Sequence, residues 1–303
     1  MPAEQFKATH DLQKTFEAID SSDQARAVFR TSVEWPPTYK KLRVCFFGGD
    51  QKLRAVIAKY AKQWERPENA IRFDFGKTGK LRSCKPDSGK EMQIRISFDK
   101  DGYWSHLGTN SVVFIPQTDA SMNFQKFTEK PADQLTDYEL SAIRHEFGHA
   151  LGLEHEHQNP RGHCEQEFNW TRVYEWLEQQ GWSKDYIDFA MREIHGDDLD
   201  LTDFDRGSIM LYYFPPDFYT KGEQSNCYIS IFNQAISSVD LAKIAERYSS
   251  DPNARLERHN RNRAAFAAVW EKAQDDVSRS AKIDPLKAFF DRPGNENEAG
   301  DDE

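Results

Sequence analysis

Apolar and polar positions along the chain resolve into strand-length and helix-length pieces. Leu42-Arg43-Val44-Cys45-Phe46-Phe47 alternates with a period of two and stops at Gly48-Gly49, which reads as a half-buried strand. Residues 71–75 and 93–98 alternate in the same way, and residues 111–115 and 122–124 complete a small mixed sheet. Between the first two strands, Leu53, Val56, Ile57, Tyr60, Ala61 and Trp64 recur at helical spacing and predict a helix over residues 51–65 with one buried face.

Thr136 is placed to cap a longer helix, with Glu139 three residues later completing a capping box. This helix runs through Leu140, Ile143 and Phe147 on its core side and ends at Gly152, where a left-handed backbone can turn the chain back. Further helices are predicted over 169–179, 183–194 and 239–248, with one more helical pattern inside 251–290. Their aromatics Trp170, Tyr174, Trp176, Tyr186 and Phe189 read as core. The acidic run 196–205 reads as a solvated loop, its spacing not being that of an EF-hand.

The chemistry is concentrated at the end of the capped helix. His145 and His149 lie four apart, so both imidazoles point from one helical face toward one spot. Glu146 follows the first of them and can reach a water held there. After the turn at Gly152, His155 can swing in as a third nitrogen ligand. Three protein ligands leave one position open, as in catalytic rather than structural zinc sites. Five of the nine histidines (145, 149, 155, 157 and 163) fall within this short region. The glycine-to-histidine spacing favours His155 over His157, which is left as a neighbouring or surface group.

H-E-x-x-H-x-x-G-x-x-H resembles the signature of the metzincin zinc proteases. Met210, in Asp205-Arg206-Gly207-Ser208-Ile209-Met210-Leu211-Tyr212, stands where that clan carries a methionine in a tight turn beneath the metal. The S-x-M-x-Y form, together with His155-Glu156, is similar to the astacin family, although Leu211 departs from the histidine common there. The resemblance implies an α+β metzincin-like fold: a small twisted mixed sheet, a zinc-site helix at the cleft, and a mostly helical C-terminal half with a Met-turn. It implies one catalytic Zn²⁺ on His145, His149 and His155. Glu146 would be general base to a zinc-bound water, and Tyr212 a displaceable ligand and oxyanion donor. The edge strand above the cleft is expected within residues 103–109 or the strand after them, where an extended peptide can add. Residues 1–35 are then an N-terminal extension with a helix over 13–30. Residues 36–250 are the catalytic domain, and 251–303 are a C-terminal helix and disordered acidic tail.

Composition narrows the partners. A net charge of −10 argues against nucleic acid, and no apolar run reaches the length of a membrane span. The expected partner is a protein or peptide substrate, and the chain is expected to be a monomer. The first residues lack the apolar stretch of a signal peptide. The expectation is therefore that the chain acts inside a cell, leaves by an unconventional route, or begins at a mature or recombinant end. Four scattered cysteines form no C-x-x-C pair, but Cys164 and Cys227 could join in an oxidising compartment. The competing reading is a non-catalytic peptide- or protein-binding module on the same scaffold. A further rival places the third ligand on a distant glutamate, Glu165 or Glu167.

Overall fold

A computed structural model describes residues 29–85, 88–196 and 198–273, together with 285, 288 and 289. In chain order its strands are β1 (Phe29–Arg30), β2 (Lys41–Phe46), β3 (Arg72–Asp74), β4 (Gly76–Lys77), β5 (Lys80–Leu81), β6 (Ile94–Ser97), β7 (Tyr103–Ser105), β8 (Met122–Phe124) and β9 (Leu199–Asp200). Its α-helices are α1 (Gln51–Ala61), α2 (Asn110–Val113), α3 (Asp137–Ala150), α4 (Cys164–Glu167), α5 (Trp170–Gln179), α6 (Lys184–Met191), α7 (Ser238–Arg247) and α8 (Pro252–Ala273). The α+β class and the mixed sheet expected from the sequence are what the chain adopts.

The main sheet runs β3-β2-β6-β8-β7. The first four strands are parallel and β7 pairs antiparallel with β8, Trp104 opposite Asn123, so β7 is an outer edge. Helix α1 and the following 3-10 turn pack Ile57, Ala61 and Trp64 into the core under α3, and Trp64 Nε1 donates to Arg144 O at 2.9 Å. Phe147 of α3 meets Phe73 of β3 edge to face, with ring centroids 4.9 Å apart. The sheet, α1 and α3 thereby share one core. A second cluster, including Phe168, Val173, Leu177, Ile187, Phe214 and Phe218, builds the lower half between α4, α5 and α6.

The buried C-terminus of α3 leaves carbonyls that must find donors. His149 O accepts from Gly108 N at 2.9 Å, Ala150 O from Trp35 Nε1 at 2.8 Å, and Leu151 O from the Tyr248 hydroxyl at 2.8 Å. Three distant parts of the chain converge there. Gly108 is needed at this approach, because a β-carbon on it would stand 2.0 Å from Val33 O.

Three readings change. Residues 111–115 do not form a strand: α2 covers Asn110–Val113. The place beside β6 is taken by β8, and the Arg95 guanidinium holds the carbonyls of Ser111 and Ile115 instead of a sheet ladder. The acidic run is not merely a solvated loop, since Asp198 is buried on Arg30 and Asp200 pairs with Lys243 and Arg247. Phe29, Val33 and Trp35, at the end of the stretch read as an extension, are buried, and Phe29 and Trp35 belong to the main core. Cys164 and Cys227 pair as the sequence allowed, and Cys45–Cys84 forms a second disulfide. The helix expected over 13–30 lies outside the described residues except for Phe29 and Arg30, which are strand, and the tail 291–303 lies outside them entirely.

Candidate active site

Helix α3 is started by a complete capping box. Thr136 Oγ1 accepts from Glu139 N at 3.3 Å, and the Glu139 carboxylate accepts from Thr136 N at 2.8 Å. Two turns on, His145 and His149 present their rings 4.7 Å apart on one face. Gly152 takes φ +98°, and Leu153 N returns to Gly148 O at 3.1 Å, which closes the helix and redirects the chain. His155 then enters from the loop, its ring 4.6 Å from that of His149 and 5.3 Å from that of His145. One ligand atom from each of the three lies within 4.8 Å of the others.

The outer nitrogens decide what the inner ones can do. His145 Nδ1 faces Ile209 O at 2.8 Å, His149 Nδ1 faces Leu153 O at 2.6 Å, and His155 Nδ1 faces the Gln158 side-chain oxygen at 3.1 Å. Each partner can only accept, so each Nδ1 carries the proton and each Nε2 is a bare lone pair. His149 Nε2 and His155 Nε2 approach to 3.1 Å with no proton between them, and His145 Nε2 is buried without a hydrogen-bond partner. Three converging lone pairs suit a divalent cation and little else. Burial and the neighbouring His149 imidazole push His145 down to about 3, burial pushes His149 down to about 4, and burial with the surrounding imidazoles holds His155 well below its ordinary value. The set is therefore neutral, as ligation requires.

Glu146 is buried beside the triad, and its Oε2 has no hydrogen-bond partner among the described residues. Burial pushes its pKa up to about 8. A cleft of about 660 Å³ runs past Glu146, His149 and His155, with β7 on one side and α6 on the other. Tyr212 is half-buried in its wall, its ring 4.1 Å from that of His155 and 5.5 Å from that of His145. Burial and the nearby Glu146 raise its phenol well above the ordinary tyrosine value, so it stays protonated.

Beneath the site, Asp240 organises the turn that carries Met210. Its carboxylate accepts from Ser208 Oγ at 2.7 Å and Ile209 N at 2.9 Å, which sets the Ile209 carbonyl on His145. Met210 O accepts from Glu156 N at 3.0 Å, tying this turn to the loop of the third histidine. Asp240 and Gln158 were missed in the sequence. The only trace of Asp240 is its place three residues after Ser237 in the capping box of α7.

His157 is fully buried rather than exposed. It stacks on His155 and Tyr212, and its Nε2 is bonded to Ala190 O at 2.8 Å. Tyr186 and Phe189, read as core, line the cleft, because α6 turns that face to the site. Glu165 is engaged by Arg192 and Glu193 N, and Glu167 by Ser225, Asn226 and Lys221, so neither belongs to the triad.

The sequence profile of the matrixins matches residues 7–161, which includes the whole of α3 and His155. The chain belongs to the matrixin family. Matrixins are zinc-dependent metzincin proteases, and the histidine triad could hold that ion. The matched stretch includes His155-Glu156 but ends before Ser208-Ile209-Met210-Leu211-Tyr212, the other feature on which the likeness to astacins rests. Among solved structures, myroilysin is 29% identical with a TM-score of 0.57, covering 73% of this matrixin and 97% of its own chain. High choriolytic enzyme 1, a hatching enzyme zinc-protease from Oryzias latipes (Medaka fish), is 16% identical with a TM-score of 0.43, covering 73% and 96%. No curated protein matches the sequence.

Proposed function

We propose that this matrixin is a zinc endopeptidase in which Glu146 is the general base and Tyr212 the oxyanion donor. The observation that carries the reading is a buried carboxylate oxygen without a partner, on a residue that lines one cleft with His149 and His155 of the convergent histidine triad. Zinc bound there supplies Lewis acidity, lowering the pKa of a water from about 15.7 toward about 7 and polarising the scissile carbonyl. Glu146 takes the proton of the attacking water and passes it to the leaving amine, a shuttle suited to a carboxylate whose pKa burial has raised. The Tyr212 phenol, held protonated, donates a hydrogen bond to the oxygen on which charge develops. Its placement after Met210 supports an astacin-like form of the Met-turn.

The edge of β7, unpaired by any strand among the described residues, suits an extended substrate, whose backbone would add as a further strand beside residues 103–105. The two disulfides support folding in an oxidising compartment. The reading is tested by digesting a proteome-derived peptide library with and without chelator and identifying the products by mass spectrometry. Internal cleavages abolished by chelator and restored by zinc are expected. Peptide binding without cleavage at full zinc occupancy would replace the enzyme with the binding-module reading.

A further inference from the structure

Strand β1 reaches the metal-site loop from more than a hundred residues away. Phe29 bridges to Leu153, its ring 3.1 Å from where a β-carbon on Gly152 would stand, and Arg30 N donates to Gly152 O at 3.0 Å. The Arg30 side chain continues the grip. Nε donates to Glu154 Oε1 at 2.7 Å, and Nη1 spans the two Asp198 oxygens at 3.1 and 3.2 Å. Asp198 is fixed in turn by Ser32 Oγ at 2.5 Å, and its carbonyl accepts from Thr31 N at 2.6 Å. Arg30, Glu154 and Asp198 are all buried.

The gripped residues 152–154 serve the site twice. Leu153 O holds the Nδ1 proton of His149 at 2.6 Å, and Glu154 is covalently joined to His155. We propose that Arg30 is a positioning residue of the metal site: its guanidinium, clamped between Glu154 and Asp198, holds the turn that orients His149 and delivers His155. The inference rests on the triad being the zinc site.

Two buried carboxylates share this one guanidinium. Without it they face each other uncompensated in a low dielectric, and the cheapest relief is for Glu154 to move toward water, taking His155 with it. A lysine supplies the charge as a point and cannot fork between two carboxylates, so it restores the clamp only in part. Groups that orient metal ligands typically change metal affinity by 10- to 100-fold when lost.

The test is the zinc dissociation constant of the full chain, measured by competition with a chromogenic chelator at a temperature where circular dichroism shows every variant folded. Arg30→Ala should weaken zinc about tenfold. Arg30→Lys should fall between it and the wild type, and Glu154→Gln should weaken zinc by about threefold, since the amide keeps a hydrogen-bond acceptor but loses the charge. A merely structural role would lower the unfolding midpoint of the zinc-free protein and leave the constant unmoved. Identical constants in wild type and variants therefore overturn the clamp, and if Arg30→Ala does not fold, the two conservative variants decide it. A wild-type protein that takes up no zinc overturns the reading of the triad instead.

Discussion

Met210 Sδ lies 2.5 Å from the point where a β-carbon on Gly148 would stand, with Trp64 Cζ2 3.1 Å from the same point. The sulfur thus occupies the space that the missing side chain leaves on α3, one residue before His149 of the triad. Glycine at this helical position forgoes about 1 kcal/mol of propensity relative to alanine, and contact with the turn beneath the triad is the compensation.

Gly148→Ala should therefore destabilise the protein despite its better helix propensity. Overpacking of this kind typically costs about 1–3 kcal/mol. Urea unfolding should show a lower midpoint at unchanged slope, whereas an equal or higher midpoint would mean that Met210 is free to yield.

Glu146→Gln removes the proposed proton acceptor while leaving the three imidazoles in place. Zinc content should stay at one per chain while kcat falls by about 10²–10⁴. Near-normal turnover would take the carboxylate out of the reaction. Tyr212→Phe should cost about 10²–10³ in kcat with KM little changed, because the hydrogen bond proposed for it forms only as charge develops.

Acid should act through buried neutral histidines outside the triad. His106 is buried, and burial first, then the Arg95 charge, pushes its pKa down to about 3. Its unfolded value is near 6.5, so between pH 6.5 and 3 the unfolded chain binds a proton that the folded one refuses. Stability is then lost as pH falls through that window, by up to about 1.4 kcal/mol per pH unit for this group. In His106→Asn the difference in unfolding free energy from wild type should narrow by that slope between pH 6 and pH 4. A constant difference across the range would show that the ring is protonated in the fold.

The Cys164–Cys227 bond closes a loop spanning 63 residues of sequence and ties α4 to the lower core. Chain-entropy reasoning gives about 4 kcal/mol for a loop of this length. Replacing both cysteines by serine should lower stability by an amount of that order in denaturant titration. Finding two free thiols in the native wild-type protein would remove the bond and its bearing on the folding compartment.

Much of the site was legible because its geometry is local. The i, i+4 spacing of His145 and His149, the Thr136 capping box and the left-handed turn at Gly152 each depend on residues within one or two helical turns. Local patterns failed where a distant partner competed. The β-branched run around Val112 and Val113 became helical because β8 took the neighbouring place in the sheet and Arg95 took the carbonyls of Ser111 and Ile115. Tyr186 and Phe189 have the spacing of a buried face, and nothing in that spacing says whether the face meets a core or a cleft.

By itself, then, the order of residues determined which three imidazoles and which carboxylate would meet, since a helix and one glycine turn are enough to bring them together. Only the tertiary structure decided how they are held. Ile209 O and Asp240 at His145 and the Arg30 grip on Glu154 come from chain segments far apart in sequence, whereas Leu153 O at His149 and Gln158 at His155 are near neighbours that spacing alone does not announce as partners. A hydrogen bond spanning 124 residues leaves no periodicity behind, so it becomes visible only when the core has folded around it.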